Sequence, residues 1–370
     1  MMRGFTVAGY RIGPDAPPLI VAEMSGNHNQ SLERALQIVE AAAKAGAHAL
    51  KLQTYTADTM TLDVPEETSQ GEFYIDDPTS LWKGRTLYDL YCEAYTPWEW
   101  HEPIFKRCRE LGMIGFSTPF DTTAVDFLES LQVPLYKIAS FEITDLPLLA
   151  RVAATGKPLI LSTGMASVAE IDEAVQVIRD AGCQNLVLLK CTSSYPASPA
   201  SSHLKTIPHL QSMFGTTEMG NDDKAMTVQV GLSDHTMGIG VSVAAVALGA
   251  TVIEKHFTLC RSDGGVDAAF SLEPSELASL VQETKRAWQA LGQVWYGPLH
   301  GEETSQKHRR SLYIAADMRT GDVLTPENLR SIRPGLGLSP KYYDQLLGCQ
   351  VLKDVAKGTP VTWDLLIPKK

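Results

Sequence analysis

Eight short apolar runs recur along the first three-quarters of the chain, each separated from the next by stretches long enough for a helix. That alternation limits the fold more than any other feature. The runs are "LIVAEMS" at 19–25, "HALKLQTY" at 48–55, "GFSTP" at 115–119, "LYKIAS" at 135–140, "LILSTG" at 159–164, "LVLLKCTS" at 186–193, "VQVGLSDH" at 228–235 and "TVIEKHFTL" at 251–259. Their near-continuous apolar character suits strands covered on both faces. The intervening "SLERALQIVEAAAKAG" and "SVAEIDEAVQVIRDAG" place apolar residues three and four apart and close on a glycine, with Ser31 as an N-cap of the first. Eight strand–helix units in roughly 250 residues have the size of a (β/α)8 TIM barrel built on a parallel α/β sheet. An open doubly wound sheet is the alternative, but no G-x-G-x-x-G follows the first strand.

The rhythm stops at residue 292. Residues 293–310 read as a polar linker, and 311–370 as a small separate domain of strand-like runs broken by Gly and Pro. With 370 residues, 44% of them hydrophobic, the chain can supply more than one core.

A formal net charge of −11, without a basic run interleaved with aromatics, argues against nucleic acid or an anionic membrane surface as partner. No apolar run approaches the roughly 20 residues of a bilayer span, and "MMRGFTVAGYRIGPDAPP" lacks the apolar stretch of a signal peptide, so a cytoplasmic location is expected. The six cysteines form no C-x-x-C pair, which points to reduced thiols rather than a disulfide framework or a structural zinc.

Polar residues interrupt the runs near their C-terminal ends, where barrels of this kind carry their active sites. They are Glu23; Lys51 and Gln53; Ser117 and Thr118; Lys137 and Ser140; Ser162 and Thr163; Thr192, Ser193 and Tyr195; Ser233, Asp234 and His235; and Glu254 and His256. A single lysine or histidine in a strand is ordinarily structural, with its stem buried and its head bonded locally. Eight strands interrupted at the same end make a site. An unpaired buried lysine loses its charge or destabilises the fold, so Lys51 and Lys137 in one mouth imply an anion between them, a phosphate or a carboxylate.

Period-two alternation puts Ser233 and His235 on one face of the seventh strand, and Glu254 and His256 on one face of the eighth. Neighbouring strands then bring both imidazoles to one point. Two neutral imidazoles completed by oxygens suit a divalent first-row metal such as Mn²⁺, with a purely structural pair as the alternative. Lys255 faces the helices by the same alternation, and nothing in the sequence gives it a role.

The motifs "VAEMSGNHNQ", "ALKLQTY", "FSTPFD", "YKIAS", "LSTGMAS", "LLKCTSSYP", "GLSDHT" and "VIEKHFTL" resemble, in order and spacing, the sialic acid synthase family over nearly the whole chain. The segment "SLYIAADMRTGDVLTPENLRSIRPGLGL" is similar to the antifreeze-like (SAF) domain that ends those synthases. Within the family, "LWKGRTLYDLYCEAYTPWEW", "YKIASFEITD" and "GGVDAAFSLEP" look like the branch that makes pseudaminic acid, the legionaminic and N-acetylneuraminic branches being the alternatives. The chain departs from the sialic type in reading "ASFE" where "GSGE" is usual, and in carrying Ser193 for an asparagine.

The resemblance implies a metal-dependent condensation of phosphoenolpyruvate with an open-chain 2,4-diacetamido-6-deoxy hexose. His235 and His256 would hold Mn²⁺, with Mg²⁺ or Co²⁺ as alternatives. Lys51, Lys137, Ser162, Ser233 and Thr118 would hold phosphate and carboxylate oxygens. Glu23 and Asp267 would bind sugar hydroxyls and move protons, while Gln53, Ser140, Ser193, Tyr195 and Glu254 line the pocket. A homodimer with exchanged C-terminal domains is implied, in which Arg333 reaches the sugar bound by the partner; the alternative is an arginine that braces the Pro334–Gly335 turn. A metal-dependent aldolase would need no pair of lysines around a phosphate, and an ice-binding surface would need regular threonine arrays that the sequence lacks.

Overall fold

The computed structural model describes residues 4–65, 71–78, 80–215, 226–302 and 304–367, and every candidate site residue lies among them. The chain divides into two compact units, Met1–Gly292 and Gln293–Lys370.

Eight parallel strands of the first unit close into a barrel. An antiparallel hairpin, β1 (Phe5–Val7) and β2 (Tyr10–Ile12), precedes them. The barrel strands are β3 (Leu19–Glu23), β4 (Ala49–Thr54), β5 (Ile114–Pro119), β6 (Tyr136–Ile138), β7 (Leu159–Ser162), β8 (Asn185–Cys191), β9 (Thr227–Ser233) and β10 (Val252–His256). They neighbour one another in chain order, and β10 pairs with β3 to complete the circle. Closure excludes the open doubly wound sheet.

Residue parity sorts the strands into two cores. Ile20, Ala22, Leu50, Leu52 and Ile253 pack outward against helix residues such as Ile38 and Val39. Val21, Ala49, Ile114, Leu135, Ile160, Val187 and Val252 fill the lumen, joined by Phe5, Val7 and Ile12 of the hairpin. The hairpin thus plugs the end of the barrel where the strands begin. Three-residue strands carry no periodic signal, so sequence patterning did not reveal it.

Local chemistry sets the helix ends. Ser31 Oγ accepts from Arg34 N–H at 3.2 Å, and Gly46 supplies the left-handed conformation, φ 91°, that ends the helix Leu32–Ala45. Ser167 and Glu170 form a reciprocal capping box on the helix Val168–Asp180.

The second unit holds two antiparallel pairs, β11 (Ser311–Ile314) with β12 (Leu329–Ile332) and β13 (Gln350–Val351) with β14 (Leu366–Ile367). They surround a core of their own that includes Leu312, Ile314, Leu329, Val351 and Val361. The segment that opens this unit is less polar than expected, since Val294, Trp295, Tyr296 and Leu299 are all exposed there. Among the described residues no helix is long and apolar enough to cross a membrane.

Candidate active site

The lumen changes from apolar to polar along the strands. Two residues beyond the luminal Val21, Ala49, Leu135, Ile160 and Val252 come Glu23, Lys51, Lys137, Ser162 and Glu254, on the same inward parity. These five side chains are all buried.

Glu254 is the hub of this layer. Its Oε1 accepts from Lys137 Nζ at 3.0 Å and from Ser233 Oγ at 3.0 Å, and lies 3.9 Å from Lys51 Nζ. Lys51 also pairs with Glu23 Oε2 at 2.5 Å and donates to Thr118 Oγ1 at 3.3 Å. Gln53 donates to Glu23 Oε1 at 3.0 Å and to Ser25 Oγ at 3.2 Å. The anion expected between the two lysines is therefore present in the protein itself, as the Glu254 carboxylate.

Burial opposes every one of these charges, and the neighbours decide the outcome. Burial raises the Glu23 carboxyl despite Lys51 beside it. Burial also works against Glu254, yet Lys137 and Lys51 hold it well below the usual carboxylate range. Lys137 is pulled down by burial, and Lys51 is pushed up because Glu23 and Glu254 outweigh burial.

A cradle of hydroxyls lies where β7 ends. Ser140 Oγ accepts from the backbone N–H of Gly164 at 3.0 Å, and Ser162 Oγ is buried with no hydrogen-bond partner. A Cβ on Gly164 would fall 2.4 Å from Ser193 Oγ and 2.7 Å from Ser140 Oγ, so the glycine keeps the space between the two serines open. The hydroxyls of Ser140 and Ser193 beside Gly164, with the unpartnered Ser162 hydroxyl two residues earlier on β7, suit the oxygens of a tetrahedral oxyanion.

The two histidines meet as the alternation required, with ring centroids 5.2 Å apart. His235 Nδ1 lies 2.9 Å from the Thr192 carbonyl, which fixes the proton on Nδ1 and leaves Nε2 as a lone-pair donor. His256 Nδ1 is buried without a hydrogen-bond partner, 3.4 Å from Asp267 Oδ2. Burial, then His235 and the nearby lysines, push the His256 pKa far down and keep that imidazole neutral. Burial opposes a charge on His235, but the Cys191 thiol and the Thr192 carbonyl outweigh it and raise its pKa, so a proton competes for its Nε2. A neutral His256 ring with an orphaned nitrogen, 5.2 Å from a second imidazole, fits a site that a divalent metal could occupy in place of that proton.

Tyr195 packs over this pair, 4.5 Å from the His235 ring and 5.5 Å from Phe270. Asp267 is buried, bonded to Ser25 Oγ, and its pKa is raised by that burial.

Several participants escaped the sequence reading. Glu142 is half-buried with one carboxylate oxygen enclosed and unpartnered, and burial pushes its pKa up to about 7. It lies two residues past Ser140 in a turn, where strand alternation no longer points to a face. Cys191 Sγ lies 3.9 Å from His235 Nδ1, and Ser25 continues the parity of Glu23 past the end of β3. Lys255 gains a partner: its Nζ bonds Asp234 Oδ2 at 3.1 Å on the helix-facing side.

Arg333 belongs to the second unit. Its side chain is exposed and makes no hydrogen bond or ion pair among the described residues. Ser311 Oγ braces the adjoining turn instead, donating to the Pro334 carbonyl at 2.8 Å and accepting from Gly337 N–H at 2.9 Å.

The NeuB family matches residues 38–296 and the SAF domain residues 309–367. The chain belongs to the NeuB family. A pseudaminic acid synthase of Helicobacter pylori is 40% identical over 94% of this chain and 97% of its own length. The N,N'-diacetyllegionaminic acid synthase of Campylobacter jejuni is 36% identical over 89% of this chain and 94% of its own. A crystal structure of N-acetylneuraminic acid synthetase from Leptospira borgpetersenii superposes with a TM-score of 0.70 at 31% identity, covering 82% of this chain and 95% of that one. As a NeuB-family chain it joins the barrel described above to a C-terminal SAF domain.

Proposed function

We propose that this chain is a pseudaminic acid synthase. It condenses phosphoenolpyruvate with the open-chain aldehyde of 2,4-diacetamido-2,4,6-trideoxy-L-altrose and releases phosphate. The observation that carries the reading is the luminal layer in which two lysines, the serine cradle around Gly164 and two imidazoles face one space. Homology supports the sugar: identity is 40% to a pseudaminic acid synthase and 36% to a legionaminic one.

In this reading the cradle of Ser140, Ser162, Ser193 and the Gly164 N–H holds the phosphate. Lys51 and Lys137 neutralise phosphate and carboxylate, exchanging part of their attraction to Glu254 for the ligand. His235 and His256 hold a divalent metal, Mn²⁺ by preference, with Mg²⁺ or Co²⁺ as alternatives. Bound there, it supplies a Lewis acid for the aldehyde oxygen.

The enol carbon attacks the aldehyde carbon, and positive charge develops on the carbon bearing the phosphate. The carboxylates of Glu23 and Glu254 face that charge. Water adds to it, and C–O cleavage expels phosphate, leaving the 2-keto acid. Glu142, Glu23 and Asp267 bind sugar hydroxyls and exchange the protons of these steps. The raised pKa of Glu142 suits it to take a proton from water and return it near neutral pH. Six free thiols fit a reducing cytoplasmic setting. The active form is a homodimer with exchanged C-terminal domains, and Arg333 supplies donors to the partner's sugar.

The test is to incubate the protein with phosphoenolpyruvate, Mn²⁺ and a panel of amino sugars, following phosphate and the keto acid formed. Turnover with the 2,4-diacetamido-6-deoxy altrose well above that with N-acetylmannosamine or the legionaminic precursor supports the proposal. Equal kcat/KM across the panel rejects the assigned sugar, and no phosphate release rejects the reaction.

A further inference from the structure

Lys255 and Asp234 form a buried ion pair outside the lumen that the chemistry above does not use. The last paired residues of β9 and β10 are Ser233 and Glu254. His235 and His256 both lie beyond that point. The β9–β10 ladder ends with Asp234 N–H donating to the Glu254 carbonyl at 3.0 Å, so no backbone bond between these two strands joins the histidines directly. His256 is held instead by its pairing with Glu23 of β3, and the His235 carbonyl by Ala197 N–H at 3.0 Å.

The outward face supplies the missing link. Lys255 Nζ bonds Asp234 Oδ2 at 3.1 Å and the Thr236 carbonyl at 2.5 Å. It therefore grips both residues that flank His235, from the position just before His256. Asp234 is itself held from several sides. Its Oδ1 accepts from Thr236 N–H at 2.9 Å and Thr236 Oγ1 at 2.7 Å, while Oδ2 also accepts from Ser242 Oγ at 2.6 Å on the helix Gly240–Ala247. Both members of the pair are buried. A buried pair is weak evidence for stability as such, and in some systems such a pair serves to hold a geometry instead.

We infer that the Lys255–Asp234 pair is a positioning device that sets the spacing of His235 and His256, and with it the affinity of the site for a divalent cation. The inference rests on the metal reading given above.

Its test is a titration of wild-type protein and Lys255→Met with Mn²⁺, reading free aqua Mn²⁺ by electron paramagnetic resonance, at a temperature where circular dichroism shows both folded. Partners of this kind affect metal affinity by roughly 10–100-fold, and a weakening of about tenfold or more is expected for the folded variant. A role confined to stability lowers the melting temperature and leaves the Mn²⁺ affinity alone. An affinity within about twofold of wild type, on that scale, overturns the inference. Should Lys255→Met not fold, Asp234→Asn, which keeps an oxygen acceptor for Thr236 but removes the charge that pairs with Lys255, carries the same test: a several-fold loss supports the inference and an unchanged affinity overturns it. Wild-type protein that binds no Mn²⁺ rejects the metal reading and this inference together, whereas normal wild-type binding with an unaffected variant rejects this inference alone.

Discussion

Lys137 on β6 and Glu254 on β10 stand on strands half a barrel apart, and their side chains meet across the lumen at 3.0 Å. The contact joins residues 117 positions apart in sequence. It balances charge in the centre of the layer where the substrate is proposed to bind.

Lys137→Met should be costly because it leaves the Glu254 carboxylate with Ser233 and only the more distant Lys51. Removing one partner of a buried pair destabilises by about 3–5 kcal/mol, and the residual Lys51 places this case toward the lower end. Urea unfolding checks it; a loss below about 1 kcal/mol would place the pair with weak surface bridges. Turnover should fall with it.

Glu142 should make stability fall as pH rises. Its folded pKa, about 7, lies above the ordinary 4.5, so the folded state holds its proton more tightly. The contribution is fully present below the unfolded value and is lost as pH rises through the folded one. Glu142→Gln should therefore gain stability relative to wild type as pH rises between these values, by at most about 3.5 kcal/mol at roughly 1.4 kcal/mol per unit. Parallel stability–pH curves for the two proteins would show that this carboxyl is not perturbed.

Gly164→Ala should raise KM for phosphoenolpyruvate while hardly altering the fold. The new methyl meets two serine hydroxyls, which can rotate away, and lies 3.1 Å from Ser140 Cβ, which must shift slightly, so a loss at the lower end of the about 1–3 kcal/mol of overpacking is expected. Rotation takes both hydroxyls off the cradle. An unchanged KM in steady-state assays would move the phosphate elsewhere.

His235→Ala and His256→Ala should each lose stoichiometric Mn²⁺ binding together with turnover, because two side-chain ligands leave no redundancy. Calorimetric titration of each variant checks this. Retained stoichiometric binding in both would show that the imidazoles are not the ligands.

Arg333→Ala should weaken turnover by about 1.5–3 kcal/mol, the range for a lost charged hydrogen bond. Mixed with His235→Ala subunits, it should recover activity, since half the sites of a mixed dimer would combine intact histidines with the neighbour's intact arginine. An arginine acting within its own chain gives no rescue once subunit exchange is verified.

The sequence by itself determined the repeating strand–helix rhythm and the parity of each side chain. Both are local: a strand alternates every two residues wherever it sits, so Glu23, Lys51, Lys137, Ser233, His235, Glu254 and His256 could be assigned to one face and one end before any contact was known. The same alternation turned Lys255 away from them, but could not say what it met there. Which atoms meet was decided only when the sheet closed. The Glu254 carboxylate between two lysines, Ser140 and Ser193 on either side of Gly164, and Asp234 gripped by Lys255 all depend on strand register around a ring and on turns that follow the strands. Glu142 escaped for that reason, since its burial comes from a turn with no period to read. Alternation fixes direction along one strand, whereas a distance across a barrel is set by the stagger of all eight.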